Sequence, residues 1–362
     1  MSKDIPNILV TGGAGFVGRS LVKRLLSQGE ETSVWVIDDL STGIVPASWP
    51  EIQLNIDGES NGITTYSTDG TSSTLKFIHG DLMTILLGEL GKTPPVVSEQ
   101  LPNFQKVYHL ASIVGGRAKI EGDPLTVGID LAIDSIFFLW ASRINRPQRI
   151  LYASSSAAYP VNFQDQGDGI ALKESLIDFG KGFFSPDFTY GWSKLTGEYL
   201  SRIAAAQYGL KVAVIRPFSG YGEFQEPVYP VPAIAMRAAA KYDPLYVWGT
   251  GEQARDFVHI DDCIEGIERA IMRIEDGSGI NIGTGVATSF LELAALMADI
   301  VGYTPEVTGL AGKPVGVARR YCDPQEMKEK LDFFPRINIR EGMTRVLAEA
   351  GKRIELGVEI PA

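Results

Sequence analysis

Residues 7–18 read Asn-Ile-Leu-Val-Thr-Gly-Gly-Ala-Gly-Phe-Val-Gly, and this stretch decides the fold. Its opening is a near-continuous apolar run, the character of a strand covered on both faces of a parallel sheet. Gly12, Gly15 and Gly18 follow at intervals of three, and a helical pattern begins at once: Val17, Leu21 and Leu25, with Val22 and Leu26, recur four apart. Glycine suits a tight turn, a backbone pressed against a pyrophosphate, and a helix packed close on a strand. A pyrophosphate there meets free N–H groups and the positive end of the helix dipole.

Working outward, further strands are predicted at 33–39, 75–81, 106–112, 149–155 and 211–219, with helical stretches between them. The alternation predicts an α/β fold with a doubly wound parallel sheet. Residues 1–220 form its dinucleotide-binding domain. The proline-rich EFQEPVYPVP (223–232) ends the alternation, so 221–362 is expected to be mainly a smaller substrate lobe, with a segment near 255–275 returning to the first domain. Residues 55–74, rich in Gly, Ser and Thr, read as a surface loop or small excursion.

Asp38 ends the second strand twenty residues after Gly18, where a carboxylate accepts hydrogen bonds from the adenosine ribose hydroxyls. A 2′-phosphate would meet like charge there, and residues 39–45 supply no Lys or Arg to offset it. The expected cofactor is therefore NAD. Asp81, after the third strand, is placed to accept from the adenine amino group. His109 reads as a packed structural residue rather than a proton donor.

Tyr190 and Lys194 stand at i and i+4 and share a helix face. A free phenol titrates near about 10, and a neighbouring ammonium favours its phenolate. Tyr190 is thus the candidate base for a substrate hydroxyl, with Ser155 at the end of the fifth strand holding that oxygen.

Composition narrows the alternatives. A formal charge of −11 argues against a nucleic-acid surface. Cys263 and Cys322 offer no disulfide framework, and His79, His109 and His259 form no metal-ligand pattern, so no metal is expected. The N-terminus has no signal-peptide core, and no apolar run approaches the ~18 residues of a membrane span. The cytoplasm is the expected location.

These motifs, with HLAS, SSSAAYP, YGWSK, RPFSGYG, RDFVHIDD and NIGTG, resemble the blocks of the extended short-chain dehydrogenase/reductase superfamily, in its nucleotide-sugar epimerase and dehydratase branch. The likeness spans roughly residues 7–350 and implies a Rossmann-like fold. On this reading Gly12, Gly15, Phe16, Val17, Gly18, Asp38, Asp81, Leu82, Leu110, Ala111, Ser112, Tyr190, Lys194 and Pro217 bind the cofactor. The resemblance also implies a nucleotide-diphosphate sugar in the second lobe. Arg255 and Arg320 (or Arg319) would sit on its diphosphate, with Ser156 beside the sugar. The alternative for Arg255 is an ion pair with Asp256 or Glu252. A homodimer is implied too, built on two helices per subunit, one of them carrying Tyr190 and Lys194. Residues 131–142, apolar almost all round, fit that interface or the core equally.

Departures from the branch's patterns narrow the reaction. The 4,6-dehydratases carry an acid directly after the active-site Ser/Thr, where this chain has Ser156. Within the branch the chain most resembles GDP-mannose 3,5-epimerases, which place a Cys at the position of Ala157 and a Lys in the loop after YG. That loop, 223–231, has no Lys here, leaving Glu223 or Lys119 as substitutes. The expected activity is inversion of one sugar carbon, most often C4, by transient oxidation. The alternatives are a 3,5-epimerase with relocated acid and base, and a non-catalytic NAD-sensing scaffold, which predicts a broken Tyr/Lys pair.

Overall fold

A computed structural model describes residues 5–98, 100–115, 117–165, 169–181, 185–313 and 315–361. The first four residues of the N-terminus read for a signal sequence lie outside them. One nine-stranded sheet organises the chain. Its spatial order is Asp276–Ile282, Val212–Pro217, Arg149–Ala153, Lys106–His109, Asn7–Thr11, Ser33–Asp38, Thr74–His79, Ile63–Ser67 and Asn55–Ser60. The first seven pair in parallel. Ser33–Asp38 is buried at every position, as a strand covered on both faces must be.

Helices Phe16–Leu26 and Ile260–Arg273 cover one face through Leu21, Leu25, Ile264 and Ile267. Leu82–Glu89, Asp130–Trp140 and Phe188–Tyr208 cover the other through Ile85, Phe137, Trp140 and Ala204. This is the doubly wound arrangement expected. Strand order reverses beside Asn7–Thr11, which opens a crevice at the strands' carboxyl ends.

Two segments differ from expectation. Residues 55–74 are not a loop: Asn55–Ser60 and Ile63–Ser67 form an antiparallel hairpin on the sheet's edge. Asn61 and Gly62 both take positive φ, 56° and 81°, which a tight two-residue hairpin turn demands. Ile63 and Tyr66 are buried and fasten the hairpin to the core. The returning segment also runs past 275, through helix Ile260–Arg273 into the sheet strand Asp276–Ile282. Two glycines conceal that strand's apolar pattern. They are needed, because a Cβ on Gly279 would lie 2.6 Å from the Arg216 guanidinium.

The remaining chain forms the second lobe, in which helices Pro230–Ala239, Phe290–Val301 and Ile339–Glu355 share one apolar cluster. By length and composition alone, Pro124–Asn145 suffices to cross a membrane, with 22 residues and mean hydropathy 1.5, against the expectation that no run would. Half of that window is buried in the protein, and its Asp130 and Asp134 are ion-paired or hydrogen-bonded in the core. Its apolar character is explained by burial of Phe137, Phe138 and Trp140 against the sheet.

Candidate active site

The glycines at the first strand divide their labour. Gly12 takes φ +68°, and a Cβ there would lie 2.7 Å from the Ala111 backbone. A Cβ on Gly18 would lie 2.5 Å from the Gly12 carbonyl, so these two allow loop, strand and helix to close on one another. A Cβ on Gly15 would meet nothing nearer than 3.5 Å, and Gly15 caps the Phe16–Leu26 helix with no side-chain acceptor. The first-turn N–H groups are left for an external acceptor, as a pyrophosphate requires. These residues fit a dinucleotide.

The Asp38 carboxylate is buried and accepts the Ala14 N–H at 2.9 Å and the Leu40 N–H at 2.8 Å. Burial pushes its pKa up, partly offset by those two N–H groups. Each oxygen keeps a lone pair for a ribose hydroxyl. Asp81 also caps the Leu82–Glu89 helix, accepting the Thr84 N–H at 2.7 Å. His109 lies between Thr11 Oγ1 at 2.8 Å and Asp134 at 3.1 Å, stacked on Phe137, a packed residue as expected.

Helix Phe188–Tyr208 meets the fifth strand's end at a close approach: a Cβ on Gly191 would lie 2.4 Å from the Ala157 carbonyl. That contact sets Tyr190 beside Ser155, and both line one cavity of about 500 Å³. The neighbouring serines are used otherwise. Ser154 is buried against Glu198. Ser156, expected on the substrate, is buried in the 156–158 turn and is no part of the cavity wall. Lys194 is 3% exposed, its Nζ 5.7 Å from the Tyr190 ring centroid. Burial opposes its charge, but Tyr190, Asp130 and Asp134 outweigh that and raise its pKa.

The same cavity is lined by Arg117, Arg255 and Arg320. Asp187 accepts from Arg117 at 2.8 Å and from Arg320 at 2.7 Å. Among the described residues Arg255 forms no ion pair with Asp256 or Glu252. Asp256 instead accepts from Thr284, Gly285 and Cys322 backbone N–H groups, and Arg255 donates to carbonyls of Ala254, Val317 and Val315. Burial and the neighbouring Arg320 and Arg117 push Arg255 down to about 9, still cationic at neutral pH. Asp187 thus meets two of the three guanidiniums and Arg117 also pairs with Glu121, which leaves the Arg255 cation suited to an anionic ligand.

Arg117, Asp187 and Tyr229 are cavity residues that the sequence reading did not single out. Tyr229 was detectable only as an aromatic in the 223–232 loop. Glu223 and Lys119, the candidate substitutes, are not in the wall: Glu223 pairs with His259 at 3.2 Å and Lys119 with Asp123 at 2.9 Å.

Residues 8–283 match the model of the NAD dependent epimerase/dehydratase family, and the chain belongs to that family. NAD is its cofactor. Among its relatives are an uncharacterised UDP-glucose epimerase of Bacillus subtilis, 27% identical over 94% of this chain and 96% of that protein, and a GDP-mannose 3,5-epimerase of Oryza sativa subsp. japonica, 26% identical over 93% and 79%. The UDP-glucose 4-epimerase of Thermotoga maritima, solved with UDP-glucose, shares the fold with a TM-score of 0.75, 24% identity, and coverage of 97% of this chain and 99% of that one.

Proposed function

We propose that the protein inverts one carbon, C4, of a nucleotide-diphosphate sugar by transient oxidation of its hydroxyl. One observation carries this reading. Among the described residues, the cavity wall holds phenols and two serines, Ser155 and Ser219, but its single carboxylate, Asp187, is engaged by two arginines. Hydride chemistry needs only a phenol, a serine and the lysine behind them. Removing a proton from carbon needs a further base beside Tyr190, and the carboxylate of this wall is held by Arg117 and Arg320.

NAD supplies the hydride acceptor when bound. Tyr190 Oη takes the proton of the sugar hydroxyl, Ser155 Oγ donates to the same oxygen, and the buried ammonium of Lys194 stabilises the phenolate. Arg255, Arg320 and Arg117 hold the diphosphate while the ketone turns. Tyr190 then returns the proton after hydride reaches the other face. The UDP-glucose bound in the Thermotoga maritima enzyme supports a nucleotide-sugar substrate. To test this, the purified protein is incubated with UDP-, GDP-, CDP- and dTDP-sugars, and C4 epimers are sought by NMR. NADH accumulation without any epimer would overturn the reading in favour of a dehydrogenase.

The likeness to GDP-mannose 3,5-epimerases over 93% of the chain favours a second reading, inversion at C3 and C5. Solvent deuterium appearing at those carbons would establish it, because internal hydride return exchanges no carbon-bound hydrogen. We further propose a homodimer. Helix Phe188–Tyr208 exposes Trp192 and Tyr199, and the stretch packed beside it exposes Leu125 and Ile129, an apolar face that a second copy would cover. Light scattering showing a monomer would refute it.

A further inference from the structure

The proposed reaction leaves two buried carboxylates that act on Lys194 unused. Asp130 and Asp134, one turn apart on the Asp130–Trp140 helix, are each 1% exposed. Asp130 accepts from Ser112 Oγ and from the Ile113 N–H, both at 2.6 Å. Asp134 accepts from Tyr152 Oη at 2.6 Å and from His109 Nε2 at 3.1 Å.

A charge count around them does not close. Glu198 is neutralised by Arg216, which contacts both its oxygens at 2.8 and 2.7 Å. One ring proton suffices for the hydrogen bonds around His109. Its Nε2–H donates to Asp134 and its Nδ1 accepts the Thr11 hydroxyl, whose oxygen accepts the Ala111 N–H at 3.3 Å. Two carboxylates therefore face one ammonium, Lys194. Burial raises the Asp130 pKa, as expected of a negative charge short of a counter-ion. Lys194, 3% exposed, has its Nζ 5.6 Å from the Tyr152 ring centroid and 5.7 Å from that of Tyr190.

Hydride transfer fixes where the missing cation belongs. The carbinol carbon is one bond from the oxygen held by Tyr190, and the hydride acceptor must lie within roughly 3–3.5 Å of that carbon. Tyr190 and Lys194 would therefore border the nicotinamide ring of a bound cofactor. In the oxidised cofactor that ring is a cation; in the reduced form it is neutral.

We infer that Asp130 and Asp134 select the oxidation state of the cofactor, their surplus negative charge holding NAD⁺ in preference to NADH. The inference rests on the cofactor and catalytic assignments above. With the reduced cofactor bound, the ring would be neutral, Tyr190 would hold the substrate proton, and the charge of Asp130 and Asp134 would lack its partner; with the oxidised cofactor that charge would be balanced. The carboxylates thus shorten the life of the ketone and keep the oxidised cofactor resident between turnovers, as suits an enzyme that consumes none.

The test uses the full chain, stripped of nucleotide, and calorimetric Kd values for NAD⁺ and NADH. The wild type should bind NAD⁺ at least about tenfold more tightly than NADH. Asp130→Asn and Asp134→Asn should each weaken NAD⁺ about tenfold while leaving NADH within about threefold. A wild type that holds NADH as tightly as NAD⁺ overturns the inference, whether or not the variants fold. So do variants whose two affinities move in parallel, the mark of a purely structural role. A chain that binds neither form overturns the cofactor assignment along with this inference. The predicted preference without any epimer overturns the proposed reaction and leaves this inference standing.

Discussion

The two halves of the active site meet their ligands by different means. The sheet domain offers backbone: an uncapped helix N-terminus, glycines packed to within van der Waals limits, and one carboxylate fastened by the loop's own N–H groups. The cavity under the second lobe offers side chains, above all Arg117, Arg255 and Arg320. Backbone recognition is set by local geometry and tolerates little substitution. Side-chain recognition is assembled from distant segments, and each contributor can be exchanged singly.

The predictions probe that contrast. Tyr190→Phe should lower kcat by about 10³-fold, the scale of a lost acid–base group, with NAD affinity unchanged by calorimetry. A loss of NAD affinity instead would mean that the phenol belongs to the cofactor cradle.

Glu174 lies against the sheet strand Asp276–Ile282. It is buried, it accepts the Asn281 N–H at 2.9 Å, and burial pushes it up to about 7. The folded state therefore keeps the proton that the unfolded chain releases, and stability falls as pH rises from 4.5 to about 7. Glu174→Gln should stabilise the protein by about 3 kcal/mol at pH 8 and by little at pH 4, read from urea unfolding. An equal effect at both values would show that the proton is not held there.

Arg255→Gln should weaken nucleotide-diphosphate binding about 100-fold, since a charge-assisted contact is lost in a buried site, and should leave NAD binding unchanged. Equal losses for both ligands would erase the division between the halves. The smallest effect belongs to the hairpin. Gly62→Ala, at φ +81°, should cost about 1 kcal/mol in thermal unfolding and alter neither ligand's affinity.

The same division explains what the sequence disclosed. The glycine spacing, Asp38, and the four-residue step from Tyr190 to Lys194 are local devices, so their pattern was legible without the fold. The arginine cluster was not. Asp187 gathers Arg117 from 70 residues away and Arg320 from 133, and no local period encodes such a meeting. Three consecutive serines look alike in sequence until the turn at 156–158 assigns their directions and buries Ser156. The hairpin was hidden by polar residues that suit a solvent-facing edge, although Asn61–Gly62 was a usable signal. The strand Asp276–Ile282 was hidden by Gly277 and Gly279, which make room for the Ser201–Arg202 backbone and for Arg216.

That hairpin has one more consequence. Its outer strand, Asn55–Ser60, is exposed at every position, bears Asp57 and Glu59, and breaks register between Ile56 and Gly58. An open row of peptide groups ordinarily templates the next chain that arrives. Here acidic side chains and an irregular ladder make a poor template, so the sheet stops growing at that margin and the long parallel core behind it is shielded from stacking with its own kind.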